Sequence, residues 1–482
     1  MQTYSFGDIR LDRRGEAVTQ QIVATGSLVL RRFGGGREGE VAAGRFLGSP
    51  KVTVEAIIDT HSARTQAAAQ GRRIVAVQDT TEVNFSGRDR SRKGLGPGGD
   101  GKSLGFFMHA VVAVDADSED LIGVVGAHIW TRTPGPRKRR QTQPVEDKET
   151  VRWINGMKRA AARLDGALQV VNITDREGDF YPMLARVPEG EDLVIRARHD
   201  RRLAEGGVLF DAADAWPDLG VSAIKVPARG PGDKPRMAQI AIRANRVRIE
   251  KPKGKVRTPD PQALDIGLVE VRELAAPAGV KPVHWRLLTT LPVATRADAE
   301  EVVRLYRLRW RIEQVFRALK SDGLALEETQ VEEAGRLFKL GALGLVAAVR
   351  ILQLVDARDG SERPASDVID PELIGPVAAI GKTLEGKTDR QKEPARDGHP
   401  RLARLDRRPP RRLELLLQAA RPEDHGHRLA PARGHGLRLC HRSSRPCGSR
   451  ARCVNPVARR VRHQISRPCD PRSRTLRCWG HP

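Results

Sequence analysis

In the stretch LYRLRWRIEQVFRALK (305–320), Tyr306, Arg309, Glu313, Arg317 and Lys320 follow one another at spacings of three, four, four and three. On a helix at about 100° per residue they share one stripe. Leu305, Leu308, Ile312, Val315, Phe316 and Leu319 form a neighbouring apolar face that can dock on a core. A lone carboxylate among cations and a phenol suits polyanion chemistry, although plain i, i+4 pairing of Glu and Arg on a solvated face gives the same pattern. Two further acids widen the question. Asp79 follows the apolar run in RRIVAVQDTT, and Asp175 follows the one in LQVVNITDREGDF. Each reads as a buried strand presenting an acid at its carboxyl end. Three such carboxylates could hold two divalent ions on hard oxygens, and paired ions activate a water and steady the leaving oxygen in phosphodiester displacement. Singly they are weaker evidence: Asp79 could cap a turn before Thr80-Thr81, and Asp175 could pair with Arg176.

The elements that must carry these acids are legible in outline. Residues 1–70 read as short helices, among them Gly15–Leu30 and Val52–Ala69, studded with arginine as expected of a small DNA-binding bundle. From Arg72 to residue 199 the order is strand, strand, strand, helix (Glu149–Leu164), strand, short helix (Tyr181–Arg186), strand. That order implies an α/β fold, a mixed sheet flanked by helices. Residues 200–283 alternate apolar and polar positions, with Pro, Gly and Lys between, and read as an antiparallel β insertion. The core resumes at HWRLLTTLPV, so 284–330 forms its second part and carries the glutamate helix. Residues 331–390 begin with an apolar helix, Gly335–Asp356. Arg196 and Arg198 alternate along DLVIRARH as candidate phosphate contacts.

Charge is unevenly spread. Of the net +24, residues 401–482 supply +16 (21 Arg, no Lys, 5 acids), leaving +8 for the rest. A basic chain points to a polyanion partner. All five cysteines lie between Cys440 and Cys478, so the body needs no oxidising compartment. The N-terminus lacks a secretory h-region and the longest apolar run, Leu340–Val349, is too short to span a bilayer. A cytoplasmic protein with no membrane association is expected. Residues 391–482 keep no helical or strand period, and from 401 on Trp479 is their lone aromatic. They read as a disordered basic arm or, preferably, as an out-of-frame or decayed C-terminus, because arginine without lysine is what GC-rich DNA yields in the wrong register.

At these residues the chain resembles a known family. Tyr306, two residues, Arg309, three residues, Glu313, six residues, Lys320 is similar to the Y-(2)-R-(3)-E-(6)-K signature of bacterial cut-and-paste DDE transposases of the IS-four branch, which includes Tn-five transposase. VAVQDTT resembles the strand of that family's first aspartate, TDREGDF its second, FGDIRLDRR its N-terminal DNA-binding domain, and GKTDRQK its early C-terminal domain. The resemblance spans roughly residues 4–395. It implies an RNase H-like core in which Asp79 bridges two Mg²⁺ (or Mn²⁺) ions, with Asp175 and Glu313 each completing one. It implies a homodimer acting on double-stranded transposon ends and target DNA, by hydrolysis, hairpin formation, reopening and strand transfer. Tyr306, Arg309 and Lys320 match positions that hold DNA phosphates near the cut, and Arg317 stands where the family has a basic residue. Trp285 matches a tryptophan that stacks on a flipped base, a contact worth about 1–3 kcal/mol. A nuclease of the same fold, and a catalytically silent DNA-binding relic, are the rival readings. The chain departs from the family at Gly34-Gly35-Gly36 and Gly44, where aromatics are usual.

Gly96–Ser103 (GPGGDGKS) satisfies the phosphate-loop pattern, but RDRSRKGL precedes it and a strand follows. A phosphate loop needs a strand before and a helix after, so ATP binding is not expected.

Overall fold

The computed structural model describes residues 4–358 apart from 86–91, 134–142, 227–234, 255, 257 and 321–322, together with positions 368 and 375. The expectations for GKTDRQK, the cysteines and the segment 391–482 therefore lie outside the described residues.

Four helices open the chain: α1 (Ile9–Thr25), α2 (Leu30–Phe33), α3 (Arg37–Gly48) and α4 (Val54–Ala69). Side-chain caps start two of them, with Asp8 accepting from the Arg10 N–H and Thr53 from the Ala56 N–H. Their apolar residues do not close on themselves. Ile22, Leu28, Phe46, Leu47 and Ile57 belong to one core with valines of the sheet and leucines of a late helix, α10 (Ala334–Arg358). Lys339 of α10 donates to the backbone oxygens of Leu47 and Ser49. The described residues all fall within one compact unit.

The sheet follows as β1 (Arg73–Asn84), β2 (Gly96–Pro97), β3 (Leu104–Asp115) and β4 (Leu121–Trp130), then helix α5 (Val151–Arg163) and β5 (Gln169–Thr174). Helix α6 (Tyr181–Ala185), β6 (Glu191–Arg196), α7 (Leu209–Asp214), β7 (Gly220–Val226), β8 (Arg236–Glu250), β9 (Ala263–Glu273) and β10 (His284–Thr289) complete it. Among the described residues these make one ten-stranded sheet of order β2-β3-β1-β5-β6-β10-β9-β8-β7, with β4 on β3. Only β1–β5 and β5–β6 are parallel; the remaining pairs are antiparallel. The mixed segment β4-β3-β1-β5-β6 is consistent with an RNase H-like core.

The strands of the segment 200–283 are antiparallel and continue the core sheet through β10, which bonds to β6 on one side and β9 on the other. Two expectations need correction. The strand carrying Asp79 does not stop there. It runs to Asn84 because β3 pairs with it along its whole length, Asp79 opposite Ala110, while its parallel pairing with β5 ends at Val77. The stretch 305–320 is two helices, α8 (Arg296–Arg307) and α9 (Trp310–Lys320). Leu308 is buried, and tighter i→i+3 bonds (Leu308 to Leu305, Arg309 to Tyr306, Ile312 to Arg309) replace the α ladder at the join.

Candidate active site

Where β1 loses β5 as a neighbour, the chain brings distant acids together. Asp79 sits two residues past the last β1–β5 pair, and Asp175 is the first residue after β5. Asp175 caps a single 3₁₀ turn (Arg176–Gly178), its carboxylate accepting from the Glu177 N–H at 2.8 Å. Gly178 is required there, since a Cβ would lie 2.7 Å from the Cβ of Thr174. Glu313 arrives on the first turn of α9, whose approach is fixed upstream by a reciprocal capping box between Thr295 and Asp298 at the start of α8.

Arg309, in the α8–α9 join, ties the acids. Its guanidinium lies 3.4 Å from the Asp79 carboxylate and donates to Glu313. Burial, and then the negative charges of Asp175 and Glu313, push the Asp79 carboxyl up to about 8, against the pull of Arg309 and of the Thr80 N–H. Burial lowers Arg309 itself, but Tyr306, Glu313 and Asp79 more than reverse that and raise it. Three carboxylates from positions 79, 175 and 313 thus share one electrostatic site with a guanidinium set between two of them.

Hard oxygen donors crowded until one resists ionisation are what a divalent cation would stabilise, so the residues fit such an ion chemically. Arg309 supplies the countercharge in this arrangement. Among the described residues no group of three or more His, Cys, Asp or Glu stands placed to hold a metal ion, so the three acids would have to draw closer around one.

The other expected residues divide. Tyr306 is buried, its phenol raised by burial, and meets Trp285 edge to face at 5.5 Å between ring centres. Both line a cavity of about 270 Å³ with Arg309, Trp310 and Arg311. Arg196 ends β6 and donates to the His284 backbone oxygen, while its buried Nε has no partner. Burial and the nearby Arg176 and Arg309 lower it, and Tyr306 acts against that. Arg198 is not on the strand; its side chain is exposed and its N–H donates to Asp179. Arg317 is exposed. Lys320 donates from its ammonium to the Glu82 backbone oxygen at 2.8 Å and to Thr81 Oγ1 at 3.3 Å. It pins the end of α9 onto β1.

Sequence reasoning missed Trp310, Arg152 and Asp179. Trp310 faces the cavity from within the motif itself. Asp179 is buried against Arg201 and accepts from the N–H groups of Arg198 and His199, so it ties the Asp175 turn to the chain after β6. Its place in TDREGDF was the available signal. Arg152 had none, because its partners lie 72 and 25 residues away. The loop Gly96–Ser103 is followed by strand β3 and turns its polar groups inward. Asp100 takes the N–H groups of Lys102 and Ser103, and the Gly99 N–H is held by Glu82, so those amides are spent internally.

Residues 189–348 match the family model described as the transposase DDE domain, a span that starts just before β6 and includes Glu313 and most of α10. The match covers about a third of the chain and supports a DDE transposase domain over that span; Asp79 and Asp175 lie before it.

Proposed function

We propose that the chain is a metal-dependent transposase that cleaves double-stranded transposon ends and joins them to target DNA, of the cut-and-paste type found in the IS-four branch. The observation that carries this is the meeting of Asp79 and Glu313 on one guanidinium, with Asp175 close enough to raise Asp79. Asp79, Asp175 and Glu313 would hold two Mg²⁺ ions, with Mn²⁺ as a substitute. Bound there, the ions would polarise the scissile phosphodiester and ease deprotonation of the attacking water or 3′-OH.

The chain's own residues do the remaining work. Arg309 keeps the acids from splaying and offers a guanidinium to a phosphate drawn into the site. Arg196, with an unpartnered Nε, and the exposed Arg198 and Arg317 provide further cationic contacts beside the acids. The indoles of Trp285 and Trp310 flank a cavity large enough for part of an unpaired base, which would stack there and leave the duplex. Joining two ends at once calls for a second copy of the chain, and we assign the reaction to a homodimer. The residues N-terminal to β1 are assigned to end binding.

The test is a labelled duplex carrying the element's terminal repeat, incubated with the full chain with and without Mg²⁺. Cleavage should require the ion. Asp79→Ala, Asp175→Ala and Glu313→Ala should each abolish cleavage and leave duplex binding in place. Equal loss of binding in all three would make the acids structural and overturn the reading. With pre-cut ends, joined products separate a transposase from a nuclease that only shortens them.

A further inference from the structure

Nothing in the sheet holds Asp79 against Asp175. The β1–β5 ladder ends at Val77 and Ile173, and both acids lie past that point. Once both are ionised, as metal binding requires, their like charges push apart, so another group must close the gap. We infer that Arg152 of α5 is the positioning residue that clamps the two aspartates in register for metal binding, an assignment that rests on reading the three acids of the proposed function as a metal site.

Its guanidinium reaches both acids through their neighbours. Nε donates to Thr80 Oγ1 at 3.0 Å, and the Thr80 N–H in turn donates to the Asp79 carboxylate at 2.7 Å. On the other side an amino group donates to the Glu177 carboxylate at 2.8 Å, and the Glu177 N–H donates to Asp175 at 2.8 Å. A third bond, 2.9 Å to the Glu149 backbone oxygen, ties the group to its own helix. The side chain is 9% exposed. The rings of Trp130 and Trp153 lie 5.4 and 5.5 Å from it, so it has little room to swing. Thr80 Oγ1 also meets His109 Nδ1 at 2.9 Å, and burial keeps that imidazole well below its usual range, hence neutral. Arg152 is therefore the fixed cation at this joint. Only the planar fork of arginine can serve both arms at once.

The experiment uses the full chain and measures Mg²⁺ affinity by titration calorimetry, the Mg²⁺ concentration for half-maximal cleavage, and duplex affinity. Arg152→Lys and Arg152→Met should retain the far-UV spectrum and duplex affinity but weaken Mg²⁺ binding by about tenfold or more, the usual range for a residue that orients ligands. The half-maximal Mg²⁺ concentration should rise in step. Glu177→Gln strips the charge from one arm on the solvent side, where folding is not at stake, and should give a smaller loss in the same direction. Combined with Arg152→Met it should add nothing further. Unchanged Mg²⁺ affinity in folded Arg152→Lys or in Glu177→Gln overturns the assignment, as does a loss of duplex binding in proportion to metal binding. If the unmodified chain binds no Mg²⁺, the reading of the site falls and the clamp with it. If it binds Mg²⁺ without cutting, only the transposase reading falls.

Discussion

Arg309 is the residue at which charge, geometry and chemistry meet. Its guanidinium offsets the repulsion between Asp79 and Glu313, so Arg309→Gln should leave an uncompensated acid cluster. The variant should melt at lower temperature in chelator and recover more on adding Mg²⁺ than the unmodified chain does. Equal Mg²⁺-induced shifts, read by differential scanning calorimetry, would show that Arg309 does not balance the acids. A second carboxylate tests the sign of titration far from the site. Glu191, at the opposite end of β6, is raised to about 7 by burial, with Asp192 adding to the shift and the Asn172 amide opposing it. Its native form holds a proton more tightly than the unfolded chain, whose carboxyl titrates near 4.5. Stability from this group is therefore full below about pH 4.5 and lost as pH rises through 7. Glu191→Gln should raise the melting temperature at pH 8 relative to the unmodified chain and change it little at pH 4. A shift of the same size at both values would remove titration as the cause.

The turn after β5 shows how an element makes a motif. Gly178 must lack a side chain to fold against Thr174, and Asp179 anchors the turn to the segment that carries Arg198. Gly178→Ala should cost about 1–3 kcal/mol by overpacking, measured by urea denaturation, and should displace Asp175 enough to slow cleavage. A neutral effect on both would mean the turn yields without consequence. The same elements show what could be read from sequence. The apolar runs ending near Asp79 and Asp175 announced strands, and the spacing of Tyr306, Arg309, Glu313 and Lys320 announced a helix face. The break after Arg307 was not legible, because the join carries no Gly or Pro and reads locally as helix; Leu308, at the break, is buried. The alternation in 236–250 and 263–273 marked antiparallel strands, but not that β10 would stitch them onto the core, since pairing partners across long separations leave no local periodicity. Arg152 was invisible for the same reason. Lys320 had the right spacing for a phosphate contact, and its inward bond to β1 depends on a strand some 240 residues earlier.

At the scale of the whole molecule, the helices before β1 are not an appendage. Helix α10 is long and apolar enough to cross a membrane by composition, yet 67% of its apolar window is buried inside the protein, as in a core helix. Helices α1, α3 and α4 pack on it, and Ile22, Phe46, Leu47 and Ile58 of those helices, with Leu28 just after α1, share its core. The Leu28 N–H also donates to the Leu324 oxygen, just past the glutamate helix, and Gly344 of α10 packs at the same place against Leu28 and Leu319. Since Leu319 belongs to α9, the N-terminal helices support the back of the helix that presents Glu313. A modular DNA-binding head could be removed to leave a folded, metal-binding core. Here removal of residues 1–70 should strip one side of α10, exposing several large apolar side chains at roughly 1.5–3 kcal/mol each. The truncated chain should therefore aggregate or lose cooperative unfolding. A 71–482 chain that melts in one sharp transition and still binds Mg²⁺ would show the head to be separable. The milder variant Leu28→Ala should cost about 2–5 kcal/mol and weaken Mg²⁺ binding as well as stability, because the cavity it opens lies directly behind α9.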